Sequence, residues 1–178
     1  MEKRMGKVNI STAGGTAAKG AKTCKVTIPT TWLTAMGITE QQREVELTFD
    51  GTRIVIAPPV SMEQFESCAL AQGHQVRIFR YYDRDTLCSE IVADYTAHDL
   101  RAENYTPQLI KTAFGKNTLP TWEDLNAFLE ERCVPQQRAG LREYLETLGL
   151  DEYDPLAIIR KTRGRMAEDE QWLEVIEK

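Results

Sequence analysis

Alternating hydrophobic and polar residues predict a β-hairpin near the start of the chain. Val8 and Ile10 fall on one face of a strand over 7–11, and a second strand is predicted over 23–28. Pro29 has no N–H to donate, so it ends the second strand. The connection between the strands is predicted to be a flexible loop because small residues and glycines dominate it. Its glycines are Gly14, Gly15 and Gly20.

One short helix is predicted after this hairpin. Thr30 or Thr31 is expected to cap its N-terminus, and the helix continues to Met36. Gly37 fits the position just past the C-terminus, where a left-handed backbone conformation is common. The apolar residues at helical spacing are expected in the core: Trp32, Leu33 and Met36.

A second hairpin follows, and the two hairpins together need a partner surface. A strand over 45–49 and a return strand from Ile54 flank Asp50-Gly51, which is a strong signal for a tight turn. Pro58-Pro59 ends the unit. A unit this small exposes more apolar surface than it can bury alone, so we expect it to dimerise. The side chains expected to be covered are Val8, Ile10, Val26, Ile28, Val45, Leu47, Ile54 and Ile56.

The rest of the chain predicts a linker followed by an α+β domain. Residues 60–75 are mildly helical and are predicted to link a domain over 1–59 to one over 76–178. Three strands of a meander come first in the second domain, and helical patterns follow them. The strands are predicted over 76–82, 87–95 and 98–105, and the helices over 109–114, 121–133, 138–148, 156–162 and 166–176. A Thr121–Asp124 capping box and an Asp154-Pro155 start mark two of these helices.

Charge is distributed unevenly along the 178 residues. The chain has 22 Lys/Arg and 27 Asp/Glu, a net charge of −5. Residues 1–57 carry a net charge of +3, and the remainder carries −8. A basic N-terminal part followed by an acidic remainder is typical of a protein that contacts phosphates at one end. Ordinary variation in surface charge produces the same pattern.

The first third of the chain resembles the AbrB-like (SpoVT/MazE) swapped-hairpin DNA-binding family. The resemblance covers residues 7–58 and is carried by Lys25-Val-Thr-Ile-Pro29, the short helix and the second hairpin. Cys24 stands where the family usually has glycine. The resemblance implies half of a β-barrel that two chains complete by interleaving their hairpins. It also implies that the first hairpin enters the grooves of duplex DNA.

The resemblance and the charge pattern together give a set of candidate DNA-binding residues. Lysine is a point charge suited to phosphates, whereas short polar side chains can reach base edges. Each of these residues alone is equally well explained as an ordinary outward-facing polar residue. The phosphate candidates are Lys7, Lys19, Lys22 and Lys25, and the base-edge candidates are Asn9 and Thr12.

Composition and motif spacing argue against several other classes. No run of about 18 apolar residues predicts a transmembrane helix, and no apolar segment after the N-terminus predicts a signal peptide, so a cytoplasmic location is expected. The four scattered cysteines are expected to be reduced thiols. Cys68, His74, Cys88 and His98 do not have the spacing of a paired zinc motif. No nucleophile set or phosphate loop is indicated, so neither an enzyme nor a cofactor is predicted.

The sequence is compatible with three functions. The first is a cytoplasmic homodimeric transcriptional regulator that binds duplex DNA, with an antitoxin as one form in which the acidic domain contacts a toxin. The second is a mobile-element protein inhibitor of anti-CRISPR type that acts through the acidic domain. Segments near Phe114 and Tyr153 resemble uncharacterised proteins of Gram-positive bacteria and their mobile elements. The third is an enzyme that uses acidic residues such as Glu168 and Asp169. A basic cluster at Lys161, Arg163 and Arg165 indicates either an exposed ion-pair network or a ligand contact.

Overall fold

Two units make up the chain, Met1–Pro59 and Val60–Lys178. The computed structural model describes residues 2–14, 18, 20–49 and 51–178. Helices and strands are mixed, as the α+β prediction requires at its coarsest level. None of the sheets formed by the described residues closes into a barrel. No helix within these ranges combines the length and apolar character that crossing a membrane requires.

The first unit consists of two antiparallel hairpins and one helix. Its elements are β1 (Val8–Thr12), β2 (Lys22–Val26), α1 (Thr30–Ala35), β3 (Glu46–Phe49) and β4 (Ile54–Ala57). Among the described residues of this unit, β1 pairs only with β2 and β3 only with β4, which gives two separate two-stranded sheets. Gly37 adopts a φ of +74°, as predicted for the end of the helix. Asp50, the first residue of the predicted tight turn, lies outside the described residues.

Two details of α1 differ from the sequence prediction. Pro29 precedes the helix and no side chain caps it, so neither Thr30 nor Thr31 has the predicted capping role. Trp32, Leu33 and Met36 are half-buried, whereas a core position was predicted. The physical reason is the size of the unit. Two small sheets and a helix of six residues offer too little surface to enclose these side chains.

The second unit is built on one four-stranded antiparallel sheet. Its elements are α2 (Met62–Ala71), β5 (Val76–Asp83), β6 (Thr86–Asp94), β7 (Asp99–Asn104), α3 (Trp122–Glu131), α4 (Leu141–Leu148), α5 (Pro155–Thr162) and β8 (Gln171–Glu177). The strand order is β7-β6-β5-β8, so β8 is an edge strand that pairs with β5. β5, β6 and β7 form the predicted meander.

Helices cover both faces of this sheet and create two clusters of buried side chains. α2 packs on one face, where Ala69 lies against Val76, Ile78 and Val92. α3, α4 and α5 pack on the other face and form the main core. Its buried members include Phe79, Tyr81, Ile91, Leu100, Leu125, Phe128, Leu129, Leu145, Ile158, Ile159 and Leu173.

Segment 60–75 is part of the second unit and not a linker. The predicted helix exists as α2, and a Ser61–Gln64 capping box begins it. Met62 and Phe65 pack against the sheet together with Ala69 because they recur on one face of the helix. This packing was not predicted, because apolar residues in only two helical turns are a weak signal of packing when the surface that they contact is unknown.

The end of the chain contradicts the predicted helix over 166–176. Residues Gln171–Glu177 form β8, an antiparallel partner of β5. The predicted helix over 109–114 is also reduced to a 3₁₀ turn at Leu109–Lys111, because Thr112 is extended and its hydroxyl donates to the Leu109 carbonyl. The predicted helix over 138–148 begins later, at Leu141, after left-handed Gly140. The Thr121–Asp124 capping box and the Asp154 N-cap are confirmed.

Buried Arg132 fastens the segment that leads into β8. Its Nε and Nη2 donate to the Gly164 carbonyl at 3.0 and 2.8 Å. Nη1 and Nη2 donate to the two carboxylate oxygens of Asp169 at 2.6 and 3.0 Å, and Nη2 also reaches the Gln171 carbonyl at 2.9 Å. The Arg132 side chain is only 8 % exposed. One guanidinium therefore ties the end of α3 to both ends of the connection between α5 and β8.

Candidate nucleic-acid interface

The β1–β2 hairpin has one apolar and one polar face. Residues directly opposite in an antiparallel pair share a face, and faces alternate along each strand. Val8 lies opposite Val26, and Ile10 lies opposite Cys24, so these four side chains form the apolar face. The opposite face is polar throughout, with the pairs Asn9–Lys25 and Ser11–Thr23.

The predicted DNA-binding residues are divided between these faces. Asn9 and Lys25 are direct partners on the polar face, and the alternation brings Lys7 to the same side. Thr12 and Lys22 are also direct partners, but they lie at the loop end of the apolar face. Lys19 falls outside the described residues. The structure therefore brings Lys7, Asn9 and Lys25 together and separates them from Thr12 and Lys22.

Within the part of the chain that the structure describes, Lys7, Lys22 and Lys25 have no acidic partner. Lys7, Lys22 and Lys25 are all exposed. Among the described residues, no carboxylate lies within 4.0 Å of their ammonium groups. An exposed ammonium without a partner keeps its full charge for an external anion and has no internal ion pair to break.

A cleft beside the polar face adds two residues that the sequence analysis did not assign to the site. The cleft has a volume of about 420 Å³, and Arg4, Lys7, Asn9 and Trp32 contribute to its lining. The Trp32 indole N–H donates to the Glu2 carboxylate at 2.6 Å. Trp32 was expected in the core because its spacing is helical, and Arg4 lies before the first strand. Only the strand register and the position of α1 bring them next to Lys7.

The apolar faces of both hairpins are uncovered. Val8, Ile10 and Val26 are 56 %, 62 % and 57 % exposed. In the second hairpin, Leu47 pairs with Ile56 and Phe49 pairs with Ile54. Leu47 is 64 % exposed, and Phe49 and Ile54 are each 70 % exposed. No described side chain of the first unit is buried. Apolar faces of this extent are typical of surfaces that a second chain covers.

The contacts of His74, His98 and Cys133 in the second unit indicate structural roles. His74 Nδ1 lies 2.7 Å from Asp94 Oδ2, and the His98 ring stacks on Trp122. Burial opposes ionisation of Asp94, but hydrogen bonds from His74 and from two backbone N–H groups lower its pKa below the usual range. Burial raises the pKa of the Cys133 thiol to about 12, so this group stays protonated and is a poor nucleophile.

The cysteines and acidic residues do not assemble a metal site among the residues that the structure describes. All four cysteines are free thiols. No group of three or more His, Cys, Asp or Glu side chains converges there. Asp124 instead caps α3, and Asp169 is held by Arg132. Asp169, one of the acids that the enzyme hypothesis names, thus has a structural partner, and so does Asp124.

Comparisons with known proteins add no relative. A scan against models of protein families finds no match for this chain, and searches of curated proteins and of solved structures find no similar protein.

Proposed function

We propose that the protein is a homodimeric transcriptional regulator whose first unit binds duplex DNA. The observation that carries this proposal is the division of the β1–β2 hairpin into two faces. Its apolar face is exposed and needs a cover, while its polar face presents unpaired lysines and Asn9. Such a hairpin can pack into a dimer with one face and meet phosphates with the other.

Dimerisation follows from the uncovered side chains of both hairpins. Interleaving two copies of the first unit would let the Val8–Val26 face and the Phe49–Ile54 face meet apolar partners. Removing apolar surface from water contributes roughly 25 cal/mol per Å². A swapped-hairpin barrel is the arrangement that we propose for this dimer, in line with the family resemblance of residues 7–58.

DNA contact follows from the polar face. Lys7 and Lys25 would contact phosphates, and Asn9 beside them has the amide that can pair with a base edge. Lys22 and Lys19 would extend the basic surface toward the loop. Arg4 lines the same cleft as Lys7 and Asn9 and would supply a further guanidinium.

The charge of the second unit keeps a second candidate function open. Residues 60–178 have a net charge of −8, which repels DNA and favours a basic protein surface. In an antitoxin-type regulator this unit would contact a toxin. In a mobile-element inhibitor it would itself mimic nucleic acid, and the first unit would serve for dimerisation.

The salt dependence of DNA binding tests the proposal. The full chain is titrated into a fluorescent mixed-sequence duplex of 40 base pairs from 50 to 200 mM salt. Lys7 and Lys25 of two chains provide four phosphate contacts, so Lys7→Ala/Lys25→Ala should flatten the log–log slope by about 3.6. Lys116→Ala, an exposed lysine of the second unit, is the control and should leave the slope unchanged.

Two results would count against this function. An unchanged slope in the double variant would remove Lys7 and Lys25 from the interface. Failure of the wild-type dimer to bind the duplex at 50 mM salt would favour the inhibitor, because non-specific binding by basic proteins is strong at low salt.

A further inference from the structure

A second concentration of positive charge lies in the acidic unit, between the end of α5 and β8. A cleft of about 250 Å³ is found there, and its lining includes Arg160, Arg163, Trp172, Glu174 and Val175. β8 is an edge strand, so the cleft runs along a side of the sheet that no other described strand occupies. The residues that line this cleft are distant in sequence from the candidate DNA-binding hairpin, and none of them belongs to it.

An aromatic pair positions two of the guanidinium groups. Tyr82 stacks on Trp172 with ring centroids 4.4 Å apart and planes 9° apart. The Trp172 indole N–H donates to the Arg84 carbonyl at 2.7 Å, which fixes the ring. The guanidinium carbons of Arg163 and Arg165 lie 5.4 and 5.6 Å from the centre of the same ring. Cation–π attraction therefore holds both groups near one ring.

The positive charge at this place exceeds the negative charge that pairs with it. Glu177 is shared by Arg160 and Arg77, so one carboxylate serves two guanidinium groups. Arg163 and Arg165 have no carboxylate within 4.0 Å among the described residues. Glu174 is the acid in the lining, and it lies near Arg80 and the Tyr82 hydroxyl at 3.6 and 3.5 Å. Arg163 is therefore a guanidinium in the cleft lining with no carboxylate partner among the described residues, whereas Arg160 is already paired with Glu177.

A backbone donor faces the same cleft. The Leu173 N–H donates to the Arg163 carbonyl at 2.7 Å and so points away from β5. Hydrogen-bonding directions alternate along a strand, and therefore the Val175 N–H points away from β5 as well. No described carbonyl outside the sheet accepts from it. An oxyanion in the cleft can accept from this N–H and from the guanidinium groups at once.

The backbone of Arg163 indicates that its side chain has a role beyond ending the helix. Arg163 occupies the left-handed position after α5 with a φ of +58°, which normally favours glycine. An arginine there has a cost of about 1 kcal/mol that glycine would avoid. A side chain that binds a ligand is a physical reason to keep arginine at such a position.

We propose that the cleft between α5 and β8 binds a small phosphorylated ligand through Arg163 and the Val175 N–H, with Arg165 and the Glu177-paired Arg160 reinforcing the positive field. Guanidinium groups and an N–H suit the several oxygens of a phosphate dianion. Half-buried Trp172 and Val175 offer apolar surface for the rest of a small molecule. A nucleic-acid strand is disfavoured because the unit is acidic and the cleft is small.

Phosphate titration of the full chain, followed by nitrogen–proton NMR, tests the site. Inorganic phosphate is the probe, and ionic strength is kept constant with sodium chloride. The Val175 N–H, the Trp172 indole N–H and the Arg163 Nε–H signals should shift and saturate. Arg163→Gly should weaken binding at least tenfold without lowering the melting temperature, since glycine suits its backbone. Arg165→Gln should also weaken binding, whereas exposed Arg142→Gln on α4 should bind as the wild type does.

Three outcomes would overturn the assignment. Signal shifts that increase linearly with phosphate concentration, without saturating, and that equal the shifts in sodium chloride would show only electrostatic screening by salt. Wild-type affinity in both Arg163→Gly and Arg165→Gln would exclude these side chains. A 20-nucleotide single strand that moves the same signals at lower concentration than phosphate would make the ligand a nucleic acid and not a small molecule.

Discussion

Replacing Phe49 by serine should weaken the proposed dimer by a factor of several hundred. Phe49 is 70 % exposed in one chain, and it lies opposite Ile54 on the apolar face of the second hairpin. Full burial of a phenylalanine side chain stabilises by about 2.5 kcal/mol, so covering the exposed part contributes about 1.8 kcal/mol per chain. Two copies give about 3.5 kcal/mol, which corresponds to roughly a 300-fold higher dissociation constant.

Sedimentation velocity over nanomolar to micromolar concentrations measures this constant. Thr48→Ser is the matched control, because Thr48 lies on the same strand but faces the other side of the hairpin. It should change the dissociation constant by less than about fivefold, since surface substitutions usually stay within ±0.5 kcal/mol in each of the two chains. If Phe49→Ser and wild type have the same dissociation constant, or if both are folded monomers at micromolar concentration, the uncovered face is not a dimer interface.

Three further predictions concern the second unit. Arg132→Ala should destabilise it by about 3 kcal/mol in thermal unfolding, because it leaves Asp169 and two carbonyls without their buried donor. Hydrogen bonds from Arg132 lower the pKa of Asp169 in the folded protein. The Asp169 carboxylate therefore contributes its full stabilisation of the fold above about pH 4, and this contribution is lost as the pH falls through the lower folded-state pKa. Asp169→Asn should remove that part of the acid sensitivity of unfolding. Gly164→Ala should cost about 2 kcal/mol by the same assay, since φ is +58° and its Cβ would lie 3.3 Å from Arg132 Cβ and Leu173 Cδ1. Gly149→Ala, with φ +70° and open space, should cost only about 1 kcal/mol. Equal losses for the two glycines, or an unchanged Arg132→Ala protein, would contradict the packing described around Gly164.

Local sequence signals predicted the elements whose stabilising contacts are themselves local. The Thr121–Asp124 capping box and the Asp154-Pro155 start involve groups only two or three residues apart, so the sequence contains all the information that they need. The meander of β5, β6 and β7 is equally local, because short turns join its strands.

β8 could not be predicted in this way because its partner is distant. Trp172 and Ile176 point to one face of the sheet, and Leu173 and Val175 point to the other. A strand that is half-buried on both faces lacks a clean alternation, and adjacent apolar pairs fit a helical stripe equally well. Only pairing with β5 makes this segment a strand.

The sequence identified residues of the candidate DNA-binding surface, but it did not predict how they are arranged in space. The lysines around the first hairpin were identified from the charge pattern together with the family resemblance. The separation of Lys25 from Lys22 depends on the strand register, which the length and shape of the loop determine. The contributions of Arg4 and Trp32 depend on how the chain before β1 and α1 lie beside the hairpin.

The pairing of β8 with β5 has a consequence for the order of folding. The meander closes only short loops, whereas β8 joins β5 across roughly 90 intervening residues, which costs about 4 kcal/mol of chain entropy before any contact repays it. We therefore expect β5, β6 and β7 to assemble early, and β8 to dock late and to open first in native-state hydrogen exchange. Arg163, Val175 and the hydrogen bonds of Arg132 all lie in or next to this late-docking part of the second unit. A phosphate bound in the cleft would slow the opening of β8 while leaving exchange in the meander unchanged, so a ligand there would govern the lifetime of one edge of the sheet.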